Sequence, residues 1–146
     1  MPEIDTARTV ISHILDVVPS TTLSRTTYCA LVVLRPDGSE VVYVAEAGAT
    51  ASGISGPLLD SIQNSVDVNT QIIVGSASTE TGLGTWHMND AEQQALRIAS
   101  DHISNSPSML GSVLKAIKAN RDICDSCTHT LRSLYGMTIN GSEATA

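Results

Sequence analysis

Two apolar, β-branched runs, Tyr28 to Leu34 and Val41 to Ala47, are joined by Arg35-Pro36-Asp37-Gly38-Ser39, and this pairing constrains the fold more than any other stretch of the chain. Proline presets one turn angle and glycine accepts the positive φ that closes the turn, so Pro-Asp-Gly between such runs predicts an antiparallel β-hairpin. Upstream, Ile4, Ala7, Ile11, Ile14, Leu15 and Val18 recur at helical spacing and predict an amphipathic helix closed by Pro19. Downstream, Pro57 suits a first helical residue, and Leu58, Leu59, Ile62 and Val66 continue its apolar side. The short run Gln71 to Gly75 predicts a buried strand.

Asn89 or Asp90 then caps a helix whose apolar side is Ala91, Ala95, Leu96, Ile98, Ala99 and Ile103, ended by Asn105-Ser106-Pro107-Ser108. Met109 to Ala119 fits a strand or a short helix, with a strand from Val113 to Ala119 preferred. A last helix is expected from near Cys124 to Tyr135, stopped by Gly136 and followed by a strand over Met137 to Ile139. Helix, hairpin, helix, strand, helix, strand, helix calls for one α/β domain over residues 1–139, with a mixed sheet of about five strands and helices on both faces. The small polar stretch 140–146 is expected to be a flexible tail.

The chain has 146 residues with no Phe, one Trp and three Tyr, so its core must be aliphatic and a stacking platform for several bases is disfavoured. Eight Lys and Arg against fifteen Asp and Glu give a formal charge of -7, which counts against tight, non-specific polynucleotide binding. Arg25, Arg35, Arg97, Lys115, Lys118, Arg121 and Arg132 leave a local contact open. No apolar run approaches a membrane span and no signal-peptide order opens the chain, so it is expected to be soluble and to act in the cytoplasm. Three cysteines make no even disulfide framework, and a Cys-x-x-Cys in a reducing compartment points to metal or redox chemistry.

The chemistry concentrates in Asp90-Ala91-Glu92, at the head of one expected helix, and Cys124-Asp125-Ser126-Cys127, at the head of another. A hydrolytic zinc site combines three protein ligands with an open position for water, and cysteine sulfur and carboxylate oxygen both serve as ligands. A cysteine at a helix start and another one turn on project to one side, where the helix N-terminus favours the thiolate. Asp90 and Glu92, separated by Ala91, divide the work between holding the metal and facing the water.

Asp90-Ala91-Glu92-Gln93-Gln94-Ala95-Leu96, followed further on by Arg121-Asp122-Ile123-Cys124-Asp125-Ser126-Cys127, resembles the paired zinc-binding motifs of the cytidine deaminase-like superfamily. Those motifs are written His/Cys-Ala-Glu and Pro-Cys-x-x-Cys, and the version here looks most like that of bacterial polymorphic-toxin nucleic-acid deaminases. The likeness spans roughly Thr27 to Met137. It implies a three-layer fold, Zn²⁺ held by Asp90, Cys124 and Cys127, and Glu92 as the catalytic proton shuttle, with Trp86, His87, Asn89 and Ala91 lining the substrate pocket. It further implies hydrolytic deamination of cytosine in single- or double-stranded DNA or RNA, delivery within a larger toxin, and an immunity protein as partner.

The chain departs from the pattern at two places: Asp90 stands where the family has His or Cys, and Ile123 where many members have Pro. Asp90 is read as a substitute ligand because that keeps the one-residue gap to Glu92; an inactivated site, or His87 entering from the preceding loop, are the other readings. Each motif alone has a plainer explanation, since carboxylates favour helix N-termini and Cys-x-x-Cys also serves dithiol redox chemistry. Their joint occurrence in this order favours the deaminase. The acidic balance keeps a free nucleoside or nucleotide as an alternative substrate, and a non-catalytic zinc-stabilised module and a dithiol redox protein are the rival classes. His13 and His102 read as ordinary helix residues, His129 as close enough in sequence to Cys127 to neighbour the metal site, where most such histidines do not, Cys29 as a small core residue, and Gly82-Leu83-Gly84 as too weak for a phosphate loop.

Overall fold

The computed structural model describes residues 3–23, 26–48, 56–74, 91–123 and 125–146. Helix α1 (Glu3–Val17) leads through a single helical turn (Ser20–Leu23) into β1 (Thr26–Leu34) and β2 (Glu40–Gly48). Helix α2 (Gly56–Ser65) and β3 (Gln71–Val74) follow, then α3 (Ala91–Asn105), a 3-10 turn (Pro107–Met109), β4 (Val113–Ala119), α4 (Asp125–Tyr135), β5 (Thr138–Asn140) and β6 (Glu143–Thr145). The strands form one mixed six-stranded sheet in the order β3-β2-β1-β4-β6-β5. No helix among the described residues is long and apolar enough to cross a membrane.

The predicted hairpin is the centre of this sheet, paired antiparallel from Thr26↔Gly48 to Leu34↔Glu40. Its turn closes where glycine is needed: Gly38 has φ +90, and Arg35 N–H donates to Ser39 C=O at 2.9 Å. Asp37 Oδ1 accepts from the Ser39 hydroxyl and N–H, and these two bonds, the hydroxyl's first, hold its carboxyl below the usual range. β3 runs parallel to β2, which requires the crossover that α2 provides. It is an edge strand with only Ile72 buried, so the fully buried strand expected there is corrected to a half-covered edge.

Alternate residues of the hairpin enter two apolar clusters, one on each face. Cys29, Leu31, Val33, Val41, Tyr43 and Ala45 pack with Ala91, Ala95, Leu96 and Ala99 of α3 and Leu131 of α4. On the other face Tyr28, Ala30, Val32, Val42 and Val44 meet Ala7, Val10, Ile11 and Ile14 of α1 and Ile62 of α2. A strand buried on both sides must be apolar throughout, which is why these segments show unbroken runs rather than alternation. Burying each such aliphatic side chain contributes about 1.5–3 kcal/mol, so one charged residue at Val32 would unseat α1 from the sheet.

The sheet has six strands where about five were expected, and the difference lies at the C-terminus. Residues 140–146 are not a fraying tail: β6 pairs with β4 through Ala116↔Thr145, Ile117↔Ala144 and Lys118↔Glu143, and β5 pairs outside it. Ala144 is buried in the α3–α4 cluster, and Ala146 N–H donates to Lys115 C=O at 3.0 Å. Arg8 of α1 reaches the same strand with two bonds of 2.7 Å to the Glu143 carboxylate. Pairing with β4, rather than composition, makes a strand of these residues.

Candidate functional site

The two expected motifs open α3 and α4, and the described residues fix how these helices lie. Near its C-terminus α3 places Ile103 and Ser104 beside Val33 and Leu114, around a cavity of about 180 Å³ that Tyr135, the last residue of α4, also lines. His102 of α3 meets Tyr43, near the start of β2, with 2.7 Å between Nδ1 and the phenol oxygen. Eleven residues before His102, at about 1.5 Å of rise per residue, Ala91 stands toward the opposite end of the sheet. There β1 begins, β4 ends at Ala119 opposite Cys29, and the chain passes through Ile123 into α4. Both helices therefore begin at one end of the sheet and on one face, and Ala91 and Ile123 belong to the same buried cluster.

The exit from β4 is held on both sides. Asn120 N–H donates to Tyr28 C=O at 3.1 Å, its side-chain oxygen accepts from Tyr28 N–H at 2.8 Å, and its amide nitrogen donates to Thr26 C=O at 3.2 Å. From the other side, Ala119 N–H donates to Ser142 C=O and Ile123 N–H to Gly141 C=O, each at 2.9 Å. The Arg121 guanidinium donates to Leu23 C=O at 2.8 Å. Gly141 makes this turn with φ +62, a left-handed conformation that disfavours any side chain.

Of the predicted residues, Trp86, His87, Asn89, Asp90 and Cys124 lie outside the described residues, and for Glu92 and Cys127 only the helical backbone is described. Ala91 is fully buried as the first residue of α3. Among the described residues no group of three or more His, Cys, Asp or Glu is placed to hold a metal ion. As a donor set, one carboxylate and two thiolates suit Zn²⁺ and leave a fourth position for water. Two helix N-termini at one sheet end would favour those anions.

Cys29 is the buried core residue expected of it. His129 is exposed on α4. His102, read as an ordinary helix residue, instead meets Tyr43, whose phenol burial pushes up to about 12. Of the basic residues, Arg35 is engaged by Ser39, Gln71 and Met109 at the hairpin turn, while Lys118 bonds Ser142 and, with Arg8, the Glu143 carboxylate on the α1 face. Asn120 is not singled out at the level of sequence, although a side-chain amide at a strand end, just ahead of a helix, signals a backbone anchor.

Comparison with known proteins yields no relative: no protein-family model matches the chain, and neither does any curated protein or solved structure.

Proposed function

We propose that the chain is a zinc-dependent nucleobase deaminase of the cytidine deaminase-like type, with a three-layer fold, acting on cytosine in DNA or RNA. The observation that carries this reading is that α3 and α4, the helices headed by Asp90-Ala91-Glu92 and by Cys124-x-x-Cys127, begin at the same end and on the same face of one sheet. Helices starting at opposite ends would have ruled out a shared ion.

In this reading Asp90, Cys124 and Cys127 hold the metal. Bound Zn²⁺ supplies Lewis acidity and an activated water at its open position. Glu92, one residue past Asp90, is left off the metal in this assignment, and its carboxylate would carry protons from the attacking water to the ring nitrogen and to the departing ammonia. Trp86, His87, Asn89 and Ala91 border the substrate. Ala91, fully buried as the first residue of α3, anchors the start of the helix that carries Glu92.

A free nucleoside or nucleotide as substrate is the second reading, favoured by the formal charge of -7 and by the dispersal of Arg35 and Lys118. One experiment separates them. The purified protein is incubated with single- and double-stranded DNA, RNA and free nucleosides, and uracil, hypoxanthine and ammonia are measured with zinc content. Glu92→Ala is expected to keep zinc and abolish turnover. Zinc without any base conversion would leave a zinc-stabilised binding module, and turnover surviving Glu92→Ala would refute the role given to that residue.

A further inference from the structure

We infer that the Tyr43–His102 contact is an acid-released latch: it holds the C-terminal half of α3 on the sheet while the imidazole is neutral, and lets it go when the imidazole takes up a proton. Neither residue belongs to the two motifs, so the latch stands or falls apart from the deaminase reading.

Tyr43 is fully buried, and burial pushes its phenol up to about 12, so the hydroxyl keeps its proton throughout the neutral and acidic range. A buried O–H has to donate somewhere. Among the described residues its hydrogen-bond partner is His102 Nδ1, at 2.7 Å, so the phenol donates and the ring nitrogen accepts. That assigns the tautomer: the ring hydrogen of neutral His102 sits on Nε2. Protonation turns Nδ1 into a donor as well. Two donors then face each other, and among the described residues the phenol proton has no second acceptor to turn to.

The surrounding charges do not compensate for the new cation. α3 packs on β1, β2, β4 and the 3-10 turn. Just past β1, Arg35 is the charge that reaches Tyr43, pulling its phenol down against the effect of burial, and its Nε lies 3.2 Å from Met109 Sδ of the 3-10 turn. Glu40 and Glu46 of β2 turn to the opposite face, where Glu40 accepts from Thr6 and Glu46 acts on Tyr28. On β4, Lys118 is bonded to Ser142 on that opposite face and half-buried Lys115 is another cation. β3, beside β2, carries no charge. On α3 itself Arg97 is again a cation, and Asp101 is exposed and, as the preceding residue, points away round the helix.

The same end of α3 is thinly packed. The cavity of about 180 Å³ bounded by Val33, Ile103, Leu114 and Tyr135 interrupts the apolar contact one residue beyond His102, and Ser104 and Asn105 are exposed. A bond from a fully buried hydroxyl is therefore a large share of what ties these turns to β2, and its loss is felt as local opening before it is felt as unfolding. The latch is closed above the ordinary imidazole range, about pH 6.5, and opens as pH falls through it.

The test is amide hydrogen exchange on the full chain on either side of about pH 6.5, corrected for the intrinsic rate at each pH. Amides over residues 98–105 are expected to lose about 5-fold in protection on the acid side, the equivalent of one neutral hydrogen bond, while those of the β1–β2 hairpin hold. Tyr43→Phe, which has no hydroxyl to release, should be less protected in that segment on both sides and show no acid loss. His102→Asn, which offers a carbonyl acceptor near the place of Nδ1 and takes up no proton, should also show no acid loss. An acid loss of the same size in the variants, or none in the unsubstituted protein, overturns the latch. If His102→Asn does not fold, Tyr43→Phe decides alone.

Discussion

Replacing Tyr43 by Phe isolates one buried polar contact. The residue is fully buried, and its hydroxyl meets His102 Nδ1 at 2.7 Å, with the rings edge to face and their centroids 5.7 Å apart. Phe keeps the ring and opens no cavity of consequence, so the change removes the hydrogen bond and little else. A neutral hydrogen bond contributes about 0.5–1.5 kcal/mol net, and leaving a buried partner unpaired costs about 1–3 kcal/mol. His102 is only half-buried and water can reach part of it, which puts the expected loss near 1 kcal/mol. For a chain of this length that is a fall in melting temperature of about 3–4 °C. His102→Ala should cost more, since it also removes the ring contact, worth roughly 0.5–1.5 kcal/mol. The assay is urea unfolding of both single variants and the double variant. A coupling energy near 1 kcal/mol is expected. Coupling within about 0.3 kcal/mol of zero would refute the claim that this pair joins α3 to the sheet.

Three further outcomes are expected. Removing residues 141–146 deprives β4 of one of its two partners and Arg8 of Glu143, and should lower unfolding stability by at least about 2 kcal/mol, whereas a fraying tail would leave the melting temperature unchanged. The Glu143 carboxyl is held below the usual range chiefly by its hydrogen bond from Arg8, so its contribution is present above the ordinary carboxylate pKa and is lost as pH falls through the lower folded value. The difference in melting temperature between the unsubstituted protein and Glu143→Gln should therefore narrow on acidification, and a constant difference would contradict it; because the pair is largely exposed, added salt should also shrink it. Burial, aided at Tyr28 by the Glu46 carboxylate, pushes the phenols of Tyr28 and Tyr43 up to about 12. Their stabilising effect is complete below the ordinary phenol pKa and disappears as pH rises through the folded value, so ultraviolet titration should show both ionising only as the fold opens in strong alkali.

The hairpin, the four longer helices and β4 were legible because each carries its own local signal: a Pro-Asp-Gly turn, a three-to-four apolar spacing, or a β-branched run. The first helix shows where such reasoning blurs. Leu15 fits the apolar spacing yet is 45% exposed, while Val10, left out of the expected face, is fully buried. Sequence spacing places a residue on a helix but not the width of the stripe its neighbours cover. Of the last hairpin, β5 overlaps the strand expected over Met137 to Ile139, whereas β6 carried no signal, because Glu-Ala-Thr beside Gly and Ser has no strong strand preference and only the open flank of β4 makes a strand of it. At the candidate site, residue identities and spacing suggested the chemistry. What they could not indicate was the shared direction of α3 and α4, which follows from packing at the opposite end, around Val33, Leu114 and Tyr135.

The contact between Arg8 and Glu143 brings the first helix and the last strand side by side. Joining the two ends with a short flexible linker and cutting instead within the exposed turn at Asp67–Asn69 should give a circular permutant with the same sheet, because the new break falls in an exposed turn and interrupts no strand. Such rewiring would move β6 ahead of α1 in the order of synthesis, so β4 would meet β6 before β1 is made.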